Sequence, residues 1–216
     1  MDAKTILVIV PHGDDETLMC GGTISRYARE GHNVYVAFIR TAHDERTQAQ
    51  LFTTNVVKDI LGFKQGLYLH LTEEEVANDF LKLKVAIENT IQTIKPEIVI
   101  TTFWGDNHQD HKNTFQAVSV ACRHHTAPFV KQILVGEINS STDQDLSPDV
   151  FNPNYFVKLD AVDITNKVRA IGAYSTESHA FPHPRSAMAL QALAYVRGMK
   201  INEEFAEAFM CVKQIY

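Results

Sequence analysis

The sequence has 216 residues, of which 45% are hydrophobic and 21% charged, with a formal net charge of -6. That length suits one well-packed domain over residues 1–216, and the apolar content is enough to build a core, which excludes a disordered chain. A negative balance without a long run of Lys or Arg excludes the footprint of a nucleic-acid or anionic-membrane binder.

No apolar run approaches the roughly 20 residues that span a bilayer, and the stretch from Met1 to Thr5 is too short and polar to precede a signal-peptide core. These features predict a cytoplasmic protein. Cys20, Cys122 and Cys211 are widely separated and form no CxxC pair, which argues against a disulfide framework and against a thiolate zinc knuckle. Each reads as a small buried apolar residue.

In chain order, Ile6 to Val10 is an apolar strand, Thr17 to Glu30 is a helix ending at Gly31, and Val34 to Ile39 is a second strand, which together make a βαβ unit. Arg46 to Leu61 has helical spacing, Gly66 to Leu71 is a short strand, and Asp79 to Ile94 is a helix that Pro96 ends. Glu97 to Phe103, reading EIVITTF, is apolar on both faces as a central parallel strand should be, and Lys112 to His124 is the helix after it. ILVGEI and YFVKL read as strands around a polar loop from Asn139 to Asn154. Ile164 to Tyr174, Ala187 to Met199 and Asn202 to Met210 read as helices. The alternation predicts a Rossmann-like, doubly wound α/β fold with a mostly parallel sheet, helices on both faces, and a C-terminal third packed over the strand ends.

Two polar clusters interrupt this pattern at equivalent places. The first strand breaks at Pro11 and Gly13 and releases His12, Asp14 and Asp15 into a turn before a helix. EIVITTF runs into WGDNHQDH, so His108, Asp110 and His111 also follow the carboxyl end of a buried strand. Ligands of open α/β sheets bind at such ends, and polar groups gathered there are costly unless something engages them. Two strand ends facing one crevice can place His12, Asp15 and His111 around one ion, with positions left for water, which is the stoichiometry of a catalytic rather than a closed structural site. Neighbouring residues in a turn point apart, so one of Asp14 and Asp15 can ligate while the other accepts the proton of a water whose pKa the ion has lowered.

The run PHGDDE followed by MCGGTISRYAREGHNVYV, together with PEIVITTFWGDNHQDH, resembles the LmbE/PIG-L family of metal-dependent N-acetylglucosamine-type deacetylases. That family is marked by an (A/P)HxDDE turn and an HxDH segment, and the likeness covers about Ile6 to Val36 and Pro96 to Ala117, with a weaker echo in Arg197-Gly198 and EEFAEAF. The resemblance implies zinc, or ferrous iron, on His12, Asp15 and His111. It further implies Asp14 as general base, His108 as the acid that also steadies the oxyanion, and Asp110 as the carboxylate that orients and charges His108. The implied activity is amide hydrolysis by metal-activated water on a small N-acetylated sugar substrate, and a homo-oligomer is compatible with it.

The segment RTAHDER stands where that family carries a glycine-bearing T-x-G stretch, so the residues that recognise the sugar differ here. Arg46 is the candidate substrate contact in it. His179 and His183, beside two prolines in SHAFPHP, are the other two. Glu16 reads as a first-turn helix charge, and Gly21-Gly22 as a close packing contact, since no GxGxxG or GxxxxGK pattern accompanies it. No G-x-S-x-G motif supports an acyl-enzyme. Two readings compete with the hydrolase: a non-haem ferrous enzyme using the same two-His one-carboxylate set, and a non-catalytic metal- or nucleotide-binding module.

Overall fold

Strand β1 (Thr5–Val10) and helix α1 (Asp15–Arg29) lead into β2 (Asn33–Arg40), α2 (Glu45–Leu61) and β3 (Gln65–Leu71). Helices α3 (Glu73–Asn78) and α4 (Phe80–Ile94) precede β4 (Ile98–Thr102), α5 (Gln109–Ala121) and β5 (Gln132–Gly136). After a 3-10 turn at Thr142–Gln144 come β6 (Tyr155–Leu159), α6 (Ala161–Ala173), α7 (Ala187–Met199) and β7 (Phe205–Gln214). This computed structural model describes residues 2–41, 45–144, 146 and 148–216, without the side chains of 45–48 and 50.

The strands form one sheet in the order β3-β2-β1-β4-β5-β7-β6. The first five pair in parallel and β7 is antiparallel to both neighbours. The chain winds from β1 outward through β2 and β3, then returns to place β4 on the other side of β1. The switch point therefore lies between β1 and β4, and the crevice outside their carboxyl ends is where such a sheet binds ligands. Alternate residues of each strand feed opposite cores. Ile6, Val8 and Val10 pack with α1, α6 and α7 residues such as Leu18, Ile24, Ile171 and Leu190. Leu7 and Ile9 pack with Leu83, Ile87 and Ile91 of α4 and Ala117 and Val118 of α5. Helices thus cover both faces, as the near-continuous apolar strands require.

Two elements depart from the sequence-based expectations. Asn202 to Met210 does not form a helix: Phe205–Gln214 is strand β7, paired with β5 on one side and β6 on the other. Its Ala and Glu residues favour helix locally, but Phe205, Ala206, Ala208 and Phe209 are all buried between the layers, and tertiary burial overrides that weak preference. Helix α3 was not expected, although the sequence marks it with a capping box: Glu75 N–H donates to the Thr72 side chain, and Thr72 N–H to the Glu75 carboxylate at 2.8 Å.

Helix α1 is broken at Cys20, whose φ of -145 and ψ of 27 are non-helical. A break in the i→i-4 ladder leaves donors and acceptors to be met elsewhere. The Glu207 carboxylate accepts from Gly22 N–H at 3.0 Å and Thr23 N–H at 2.6 Å, and Lys167 Nζ donates to Leu18 O at 2.8 Å. Lys167 and Glu207 also pair with each other at 2.6 Å. Gly22 eases this approach, since a Cβ there would lie 3.2 Å from Glu207 Oε1 and 2.5 Å from Leu159 Cδ1.

Candidate metal centre and catalytic residues

The turn after β1 and the segment after β4 meet across the switch point. His12 Nδ1 lies 3.0 Å from Asp15 Oδ2, and His111 Nε2 lies 3.4 Å from the same oxygen. The candidate donor atoms of His12, Asp15 and His111 all fall within 4.8 Å of one another. The opposite ring nitrogens face carboxylates: His12 Nε2 is 3.0 Å from Asp110 Oδ2, and His111 Nδ1 is 3.1 Å from Asp106 Oδ1. That last contact is at ion-pair distance, but its angle falls short of a hydrogen bond, so by strict geometry this buried ring nitrogen is unsatisfied among the described residues. Metal-ligating imidazoles are commonly held this way, with the non-ligating nitrogen on a carboxylate.

The carboxylates around the two rings make this a site of negative potential. Burial by itself would lower the pKa of His12, but the charge of Asp15 and the bonds to Asp110 and Asp15 outweigh it and raise the value to about 9. His111 is raised to about 10 by Asp15 and Asp106 against the same burial. Asp15 goes the other way: burial is outweighed by His111 and His12, which hold its carboxyl well below the usual range. Two nitrogens and an ionised carboxylate in this surround fit a divalent ion of the zinc or ferrous class. A second grouping, His12 with His108 and Asp110, shares one ring with the first. It suits a cation less well, because His108 is exposed and the Arg40 guanidinium stands 3.7 Å from Asp110 Oδ2.

Asp14 lies beside the cluster without being one of its donors. Its φ of 149 with ψ of -29 is a strained conformation for a residue with a Cβ. Two contacts hold it there. Asp14 N–H donates to Glu16 Oε2 at 3.0 Å, and Asp14 Oδ2 accepts from Arg185 Nη1 at 2.7 Å. Glu16 is in turn fixed by Thr17 Oγ1 at 2.6 Å and the Tyr174 hydroxyl at 2.9 Å, so this fully buried carboxylate is a brace rather than a solvated first-turn charge. Arg185 is fixed by Glu177 at 2.8 Å and Ser140 Oγ at 2.7 Å.

His108 stands beside the rings of His12 and His111, with centroids 4.9 Å from His12 and 4.9 Å from His111. Its Nδ1 accepts from Asp110 N–H at 3.2 Å, which leaves the proton of the neutral ring on Nε2. Burial and the two neighbouring imidazoles lower its pKa. The carboxylate of Asp110 bonds to His12, while its backbone N–H donates to His108.

The remaining candidates are less central. His179 and His183 contact each other, with ring centroids 4.1 Å apart, and His183 Nδ1 accepts from Arg185 N–H at 3.1 Å. Among the described residues neither ring shares a hydrogen bond or ion pair with the cluster. The loop meets the site through Arg185, a residue that sequence reasoning passed over beside the two histidines. The Arg46 side chain lies outside the described residues.

The sequence matches the family described as PIG-L: GlcNAc-PI de-N-acetylase over residues 7–122. The chain is a member of the PIG-L family. It is 35% identical over 173 residues, 74% of this chain and 89% of the other, to the uncharacterized deacetylase YaiS of Escherichia coli (strain K12). The fold is shared with the conserved protein TT1542 of Thermus thermophilus, at a TM-score of 0.79 and 21% identity over 99% of this chain and 96% of that one. It is also shared with the N,N'-diacetylchitobiose deacetylase of Pyrococcus horikoshii, at a TM-score of 0.75 and 18% identity over 98% and 85% of the two chains. The residues matched to the PIG-L family contain both polar clusters, whereas Arg185, Glu177, Tyr174 and Ser140 lie beyond them.

Proposed function

We propose that the protein is a zinc-dependent N-deacetylase that hydrolyses the acetamide of an N-acetylated amino sugar or its conjugate, releasing acetate and the free amine. The observation that carries this reading is the convergence of His12 Nδ1 and His111 Nε2 on Asp15 Oδ2, with each far nitrogen turned to a carboxylate. Family membership supports the reaction class. A fold-sharing protein named for deacetylating N,N'-diacetylchitobiose supports the substrate class.

In this reading His12, Asp15 and His111 hold the ion, and zinc or ferrous iron suits the donors. When bound, the ion would supply Lewis acidity, which lowers the pKa of water from about 15.7 to near 7 and polarises a carbonyl. Asp14 accepts the proton of the attacking water through the oxygen that Arg185 does not engage. His108, open to solvent above the rings of His12 and His111, acts as the acid from its imidazolium form, giving a proton to the nitrogen as the C–N bond breaks and returning to the neutral ring. Asp110 serves both sides, setting His12 with its carboxylate and His108 with its N–H. The substrate is a small molecule and the chain acts as one α/β domain.

His111→Ala is expected to bring metal content after dialysis to below about a tenth of the wild-type ratio, read by elemental analysis, since loss of one of three protein ligands empties an open site. Wild-type metal content in that variant would remove His111 from the ligand set. The ferrous-oxygenase alternative separates by atmosphere: a hydrolase turns over without dioxygen, and loss of turnover under nitrogen would favour the oxygenase.

A further inference from the structure

Asp106 belongs to neither motif read from the sequence, yet it is fully buried at the centre of a network. Its Oδ1 accepts from His108 N–H at 2.8 Å and from the Ser141 hydroxyl, and faces His111 Nδ1 at 3.1 Å. Its Oδ2 accepts from Thr142 Oγ1 at 2.6 Å, and Thr142 Oγ1 accepts in turn from Ile138 N–H at 2.9 Å. The residue therefore ties the segment after β4 to the turn after β5, directly behind a ligand ring.

A plain turn-forming role would explain part of this. An aspartate that accepts from the N–H two residues on is an ordinary turn device, and the two hydroxyls could simply anchor a loop. All of those donors are neutral, however, and a buried carboxylate among neutral donors would carry an uncompensated charge. Among the described residues the remaining group at this carboxylate is the His111 imidazole, whose Nδ1 lies 3.1 Å from Oδ1. The geometry explains the charge only if it acts on the imidazole.

We propose that Asp106 is a positioning residue for the metal centre: it accepts a hydrogen bond from His111 Nδ1–H, fixes the tautomer that leaves Nε2 free for the ion, and makes that nitrogen a stronger donor. This rests on the reading of His111 as a ligand. The Ser141–Thr142 turn, 35 and 36 residues from Asp106, serves to hold the carboxylate in place.

The test is the zinc dissociation constant, measured by competition with a chromophoric chelator, for wild type, Asp106→Asn and His111→Ala. Asparagine keeps the size and one acceptor oxygen but removes the charge. Zinc affinity is expected to fall about 10- to 100-fold in Asp106→Asn, the usual effect of losing such a partner, with the thermal unfolding of the metal-free protein close to wild type. Affinity within twofold of wild type would overturn the proposal. Wild-type zinc binding by His111→Ala would instead sink the metal-centre reading itself, so the two failures are distinct. A measurement on the unaltered protein stands apart from any folding defect. In zinc-loaded wild type a long-range 1H–15N spectrum should show His111 protonated on Nδ1, and an unprotonated Nδ1 would contradict the assignment.

Discussion

Asp14→Asn is expected to bind metal as wild type does while kcat for amine release falls by at least about 100-fold, the scale of losing general-base assistance. The substitution is nearly isosteric, and asparagine tolerates positive φ better than most residues, so the strained backbone at φ 149 should persist. Its side-chain oxygen can still accept from Arg185, now 2.7 Å from Asp14 Oδ2, so the Arg185–Glu177–Ser140 contacts survive. What disappears is the ability to take a proton. Unchanged turnover would remove Asp14 from the base role. Loss of bound metal would show it to be a ligand instead, which the geometry argues against, because the converging nitrogens meet on Asp15.

Glu207→Ala carries the largest expected effect on stability, a loss of about 3–5 kcal/mol in denaturant unfolding at neutral pH. Removal of the carboxylate leaves the Lys167 ammonium buried with only Leu18 O as a described hydrogen-bond partner, and it strips the acceptor from Gly22 and Thr23 N–H at the break in α1. Replacing both ends of the pair, as in Lys167→Met with Glu207→Leu, should recover part of the loss but not all of it, since the two backbone donors stay unmet. A loss below about 1 kcal/mol in the single variant would mean that the break is satisfied some other way. The effect matters for function because α1 carries Asp15 in its first turn.

The parts of the fold written in local pattern were legible in the sequence. The switch from apolar strand to polar turn to helix placed both clusters at strand ends, and the sheet order then sets β1 beside β4 so that those ends meet. The helix expected over Asn202 to Met210 failed for a physical reason: residues such as Ala206, Glu207 and Ala208 favour helix locally, while their burial between β5 and β6 is invisible in one chain read by period. Glu207 illustrates the limit further. Nothing near it in sequence signals that its partners would be Gly22 and Thr23, 185 and 184 residues away.

The same distinction holds for the site. His12, Asp14, Asp15, His108, Asp110 and His111 lie in two short motifs. Arg185 reaches Asp14 across 171 residues, and Tyr174 reaches Glu16 across 158. Asp106 was within sight, two residues before His108, but its meaning comes from Ser141, Thr142 and the ring of His111. Glu16 changes from a surface charge to a brace for the same reason: burial pushes its carboxyl up to about 7, against the hydrogen bonds from Thr17 and Tyr174. Motifs identify the candidate metal donors, while several of the groups that hold the site, Arg185, Tyr174 and the Ser141–Thr142 turn, come from distant segments.

The most direct measurement is amine release from a panel of N-acetylated amino sugars by the purified protein, as isolated, after chelation, and after zinc is restored. Metal-dependent deacetylation requires release that chelation abolishes and zinc brings back, with acetate formed in equal amount. Release that persists after the metal has been removed, or turnover of no acetamide in the presence of stoichiometric metal, would contradict it.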